Sequence, residues 1–213
     1  MVILSLDLSC SIGWALLKGE NKENPVILDS GVLKFNQPIL STGEYPWCYL
    51  TVSKIMQGKV KELLQSIKYP IDVIVVEEIN LGKRVYSQKI LEYIHLQVLE
   101  LLRPWAEQDP KHAVKYIRSS EWRKVLGINY SKEDKLNNKK IKEINRLAKK
   151  SDKSVNDLKK ENDLKGKITK KHVAIRYVND FFNLTLRPKD DDIADAICLA
   201  LSYFKGARFC NGK

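Results

Sequence analysis

Apolar positions follow two rhythms along this chain. Near residues 2–8, 13–19 and 26–35, short runs of Val, Ile and Leu are separated by turn signals at Ser9-Cys10-Ser11, Asn21 to Pro25 and Asp29-Ser30-Gly31. That pattern predicts three strands joined as an antiparallel meander. A loop holding Pro38, Gly43 and Pro46 comes next, then a helix from about Tyr49 to Ile67. Ile71 to Val76 is short, β-branched and bounded by Pro70, which predicts a buried central strand. From Ser87 to Arg103 the period lengthens: Ile90, Leu91, Ile94, Val98, Leu101 and Leu102 form a helical stripe that Pro104 should end. His112 to Ile117 reads as a fifth strand, and Ser119 or Ser120 as the cap of a short helix closed by Gly127.

The C-terminal third is helical. Lys170 to Phe182 offers Val173, Ile175 and Val178 for packing, and Arg187-Pro188 leads into a final helix. There Ile193, Ile197, Ala200, Leu201 and Phe204 make one core-facing stripe, with Asp192 and Asp195 neighbours on a surface outside it. The order of elements predicts an α/β fold, a mixed five-stranded sheet flanked by helices. Between about 132 and 168 the composition shifts. Residues 132–171 hold fifteen Lys/Arg against seven Asp/Glu, +8 of the chain's net +11, and apolar residues are sparse. Ile141, Ile144, Leu147 and Ala148 make a narrow stripe, so this stretch is expected to be a mobile lysine-rich helical insertion within one domain spanning 1–213.

A length of 213 residues allows one domain with a substantial core plus an insertion. The net charge of +11 points to a polyanionic partner, nucleic acid or an anionic membrane surface. No segment approaches the ~20 apolar residues of a membrane span, so no membrane role is expected. The start lacks the basic region and cleavage site of a signal peptide, which predicts a cytoplasmic location. Cys10, Cys48, Cys198 and Cys210 show no CxxC spacing, and His95, His112 and His172 are equally scattered, so zinc has little support and free thiols are expected.

The chemistry lies in the acids. Asp7 interrupts an otherwise buried run, Val73-Ile74-Val75-Val76 runs into Glu77 and Glu78, and Asp190-Asp191-Asp192-Ile193-Ala194-Asp195 opens the last helix. Burying an unpaired charge costs several kcal/mol on rough estimates, so such acids need a cation or a hydrogen-bond network. Each has a structural reading alone: Asp7 as a turn residue, Asp190, Asp191 and Asp192 as helix caps, Asp195 as an exposed helix acid. Together they compose the oxygen donor set of a two-Mg²⁺ phosphodiester site, with Asp7 bridging, Glu77 on one metal and Asp192 and Asp195 on the other. Glu78 is a spare acid, suited to a supporting role beside the metals.

The ordered set Asp7 to Gly13-Trp14-Ala15, Val75-Val76-Glu77-Glu78 and Asp192-Ile193-Ala194-Asp195-Ala196 resembles the RuvC family of Holliday junction resolvases, more narrowly its phage-type branch. Ser119-Ser120-Glu121-Trp122-Arg123-Lys124-Val125-Leu126-Gly127 also resembles a phage-type segment. The resemblance covers most of the chain outside 132–168. It implies an RNase H-like fold and a homodimer that resolves four-way DNA junctions by paired nicks. It further implies two Mg²⁺ per active site, with Mn²⁺ able to substitute, and a bacterial host cytoplasm if the chain is phage-encoded. Asp7, Glu77, Asp192 and Asp195 would be catalytic metal ligands, Lys170 or Lys171 would neutralise the scissile phosphate, and the helix at 87–103 would form the dimer interface. Bacterial members carry an aromatic wedge three positions after the strand-four Glu, where this chain has Asn80. Lys83, Arg84 and Tyr86 offer DNA contacts in that loop, and cleavage of other branched DNA, forks and flaps included, fits equally well.

Three rivals stand beside this reading. Actin-like and sugar-kinase ATPases share the topology, but Asp7 to Ser11 holds no glycine for a phosphate loop. A non-catalytic nucleic-acid-binding protein would have little use for four acids that repel phosphate. Another RNase H-like nuclease, acting on RNA or an RNA–DNA hybrid, has the same residue types.

Overall fold

The computed structural model of the chain describes residues 1–20, 24–35, 38–79, 85–108, 114–149, 154–162, 164 and 166–210. Its sheet has the order β3-β2-β1-β4-β5, from β1 (Val2–Asp7), β2 (Ser11–Lys18), β3 (Val26–Lys34), β4 (Val73–Glu77) and β5 (Val114–Ile117). β1, β2 and β3 form an antiparallel meander, whereas β4 pairs parallel with β1 on one side and β5 on the other. The α/β fold with a mixed five-stranded sheet is therefore as expected.

Strand alternation sorts side chains between two cores. Val2, Leu4 and Leu6, with Ile74 and Val76, pack under α2 (Trp47–Ser66) and α3 (Val85–Gln108). On the opposite face Ile3, Val73 and Val75 pack with Trp122 of α4 (Ser119–Val125), Val173 and Val178 of α7 (Lys170–Phe182), and Ile197, Ala200 and Leu201 of α8 (Asp191–Phe204). Ser5 belongs to this second face, where its buried hydroxyl donates to the α8 carbonyl of Ala196 at 2.6 Å. Continuing the same parity puts Asp7 and Glu77, the last residues of adjacent parallel strands, on the α8 face. The site acids are thus where period-two strands must place them.

Several local expectations are corrected. The loop after β3 contains a short helix, α1 (Pro38–Thr42). Pro104 does not end α3, which runs on to Gln108. The proline forfeits its backbone donor and its ring crowds the preceding turn, yet the helix continues and Trp105 packs against the core. The α4 cap position is Arg118, with Ser119 and Ser120 already inside the helix, while Gly127 closes the turn at φ 67° as expected. Between 132 and 168 lie α5 (Lys132–Ala148) and α6 (Val155–Glu161). α5 is fastened at its start: Ser131 and Asp134 form a capping box, and Arg176 of α7 pairs with Asp134 Oδ2 at 2.5 Å. Asn138 exchanges two 2.8 Å hydrogen bonds with the backbone of Ile168, and Asn137 donates to the Gly166 carbonyl. Among the described residues no helix is long and apolar enough to cross a membrane.

Candidate active site

Five elements meet at the carboxyl edge of β1 and β4. β1 delivers Asp7, β4 delivers Glu77, the first turns of α8 deliver Asp191, Asp192 and Asp195, α7 delivers Lys171, and α4 delivers Trp122 and Arg123. The approach of α8 depends on a missing side chain. Gly13 lies opposite Asp7 in the β1–β2 ladder, and a Cβ there would stand 2.0 Å from the Asp192 carbonyl oxygen. Only glycine lets the α8 backbone come down onto β2 beside Asp7.

The acids feel one another. Burial, then the charges of Glu77, Asp195 and Asp192, hold the Asp7 carboxyl well above its ordinary range, with Lys171 opposing them. Asp195 is only 3 % exposed, which removes the alternative of a solvent-facing helix acid. Its burial raises its pKa to about 6, against the pull of Arg123 and Lys171. Arg123 Nη2 stands 3.7 Å from Asp195 Oδ2. Asp195 Oδ1 is buried with no hydrogen-bond partner among the described residues. Glu77 Oε2 accepts from the indole Nε1 of Trp122 at 3.3 Å. Lys171 Nζ bridges Asp191 Oδ2 at 2.7 Å and Asp192 Oδ1 at 3.3 Å. Burial pulls this ammonium down, but its bond to Asp191 and the charges of Asp192, Asp191 and Asp195 leave it raised.

Asp7, Glu77, Asp192, Asp195 and Lys171, which the sequence singles out, are therefore brought to one place. Among the described residues no three His, Cys, Asp or Glu side chains are preassembled tightly enough to grip a metal ion. The donor set nevertheless fits a hard divalent cation: it is all carboxylate, and one buried oxygen lacks a partner among the described residues. Lys170 is exposed at the first position of α7. Asn80, Lys83 and Arg84 lie outside the described residues, as does the side chain of Tyr86.

Two acids are elsewhere employed. Glu78 binds Arg118 Nε at 2.7 Å and accepts from the Cys210 thiol at 3.2 Å, tying β4 to the start of α4 and the C-terminal segment. Those partners, Arg118 first, lower its pKa. Asp190 occupies the cap position of α8 but makes no side-chain cap there; its carboxylate instead accepts from Arg187 N at 2.9 Å, closing the 3₁₀ turn Pro188–Asp190. Sequence reasoning quoted Trp122 and Arg123 only within the phage-type segment and gave them no site role, and it missed the Asp191–Lys171 pair. The available signal was topological: a single residue, Arg118, separates β5 from α4, which therefore starts at the same sheet edge as Glu77.

The fold is similar to that of Thermus thermophilus RuvC. A structure of T. thermophilus RuvC in complex with Holliday junction substrate matches with a TM-score of 0.59 and 14% identity, covering 99% of this chain and 100% of that one. A second Thermus thermophilus RuvC structure matches at 0.58, again with 14% identity and the same coverage. No family model matches the chain. No curated protein matches it in sequence. What the two structures share with this chain is the RuvC-like form of the RNase H-like fold.

Proposed function

We propose that the chain is a metal-dependent, structure-specific DNA endonuclease of the phage-type RuvC-like branch. It resolves four-way junctions, and cuts other branched DNA, by paired nicks from a homodimer. The observation that carries this reading is the convergence of Asp7, Glu77, Asp192 and Asp195, with one buried Asp195 oxygen left without a partner among the described residues. The similar fold of a RuvC bound to Holliday junction substrate supports the choice of substrate.

Two Mg²⁺ or Mn²⁺ ions, when bound by these four carboxylates, would supply an activated water and stabilise the departing 3′ oxygen. The chain's own residues do the rest. Lys171, half exposed and already bridging Asp191 and Asp192, faces solvent at the site and neutralises the scissile phosphate. Lys170 lies one residue before it and contacts the strand backbone. Lys83, Arg84 and Tyr86 follow β4 in sequence and take the junction arms by phosphate contact and stacking. The lysine-rich α5 and α6 extend the positive surface; α5 is fastened beside the segment that leads into Lys171, so both engage one polyanion. α3 spends Ile90, Ile94, Val98 and Leu102 on the core and presents Leu96 outward, which suits a helix that also meets its copy.

The test is a gel assay in Mg²⁺, repeated in Mn²⁺, on a four-way junction, a fork, a linear duplex and an RNA–DNA hybrid, with Asp7→Asn in parallel. Paired nicks in the junction that vanish in Asp7→Asn are the expected result. Cutting of the hybrid alone, or of nothing, would overturn the resolvase reading and return the RNA-directed RNase H-like alternative.

A further inference from the structure

α4 is a seven-residue helix, yet two adjacent side chains of it reach two different acids of the site. Trp122 is fully buried and donates its only polar hydrogen to Glu77 Oε2 at 3.3 Å. Arg123, mostly buried, lays its guanidinium 4.1 Å from the centre of the Trp122 ring and puts Nη2 3.7 Å from Asp195 Oδ2. Its Nη1 donates to the Ser119 carbonyl at 3.4 Å, and its Nε has no partner among the described residues.

A packing role accounts poorly for this arrangement. A core tryptophan needs an acceptor for its indole, and backbone carbonyls are the common source; here it takes a carboxylate of the site. An arginine kept for stability should satisfy its donors, because leaving a buried N–H unpaired is destabilising. Arg123 instead leaves Nε unpaired among the described residues and stands beside Asp195 at a distance too long for a hydrogen bond. The ring stack locks the two side chains to each other, so Glu77 and Asp195, on different elements, are referred to one rigid body. We propose that Trp122 and Arg123 are positioning residues, a stacked pair that orients Glu77 and Asp195 as donors to a divalent cation. Trp122 fixes one Glu77 oxygen, and Arg123 occupies the Asp195 Oδ2 side, leaving Oδ1 to the cation. This rests on the metal-site reading above and adds residues that are not themselves ligands.

The experiment is an Mn²⁺ titration of the full chain without DNA, read as the loss of the free-ion electron paramagnetic resonance signal. Trp122→Phe keeps the buried ring and removes the donor; its Mn²⁺ affinity should fall about tenfold, the scale on which partners behind a ligand act. Arg123→Lys keeps the charge but loses the planar stack, and an affinity loss of about threefold is expected. Junction nicking by both variants should return to the wild-type maximum at saturating Mn²⁺, which a merely unfolded fraction would not do. Equal Mn²⁺ affinity in wild type and Trp122→Phe overturns the positioning role and leaves the metal site standing. Should Trp122→Phe fail to fold, unchanged affinity in Arg123→Lys overturns it instead. A wild-type protein that binds no Mn²⁺ overturns the metal reading and this proposal together.

Discussion

Gly13→Ala is the sharpest probe of how the site is assembled. The added Cβ would sit 2.0 Å from the Asp192 carbonyl oxygen and 2.6 Å from its carbon, whereas ordinary contact begins at 3.4 Å. What it meets is backbone, at the start of a helix whose residues Ala194 to Leu201 are all buried. No side chain can swing away, so α8 must lift or β2 must bend by about an ångström. Overpacking a dense core costs about 1–3 kcal/mol, and a clash with backbone belongs at the upper end, near 3. For a chain of this size that lowers the unfolding midpoint by roughly 10 °C. The same shift carries Asp192 away from Asp7, and an ångström of misplacement can cost on the order of a hundredfold in rate.

The assay pairs thermal unfolding with junction nicking, using Gly58→Ala as the control. Gly58 lies inside α2, and a Cβ added to it would meet nothing within 4 Å, so alanine there should add about 0.5–1 kcal/mol and leave nicking alone. A Gly13→Ala protein that melts within about 2 °C of wild type and nicks normally would refute the close approach of α8 to β2. Lost stability with retained nicking would separate the packing from the placement of Asp192.

Asp7→Asn should raise the unfolding midpoint of the metal-free protein while abolishing nicking, because it removes a buried charge that Glu77, Asp195 and Asp192 all repel; a lower midpoint would show that Asp7 is paired. His95 is buried, its Nε2 3.3 Å from the Leu8 carbonyl, and burial lowers its pKa from 6.5 to about 4. The unfolded chain therefore takes up a proton that the folded chain refuses, and stability falls as pH drops from 6.5 toward 4. Between about pH 7 and pH 5 wild type should lose about 2 kcal/mol more than His95→Gln in urea unfolding, and parallel losses would contradict this. Ser5→Ala removes the buried hydroxyl that joins β1 to the Ala196 carbonyl, and urea unfolding should show a loss of about 1 kcal/mol.

Much of this was legible in the chain because strand parity is a local rule. Once Val2 to Leu6 and Val73 to Val76 are read as strands buried on both faces, the residues that follow must share a face if their strands run parallel in register. Asp7 and Glu77 do, since Leu6 pairs with Val76. The helical spacing of Ile193, Ile197, Ala200 and Leu201 likewise fixed which side of α8 meets the sheet. That same spacing left Asp195 open between a site acid and an exposed helix acid. Periodicity marks a residue outside the apolar stripe as exposed only when nothing else covers it, and α4 covers this one. The cover is a short helix from a distant part of the chain, and seven residues carry too little periodicity to reveal what they pack on.

Gly13 shows the same limit from the other side. In sequence it is a glycine in a strand, which signals close approach of something without saying what. The structure supplies the partner, the backbone of Asp192, far along the chain. Contacts of that separation leave no trace in local pattern, and Gly13 against Asp192, Trp122 against Glu77 and Arg123 against Asp195 are all of this kind. They also share a place. Each joins an acid of the site to an element outside its own strand or helix, so the acids were readable as a cluster while the framework around them was not. Substitutions in that framework, above all at Trp122, should therefore separate metal affinity from the identity of the ligands themselves.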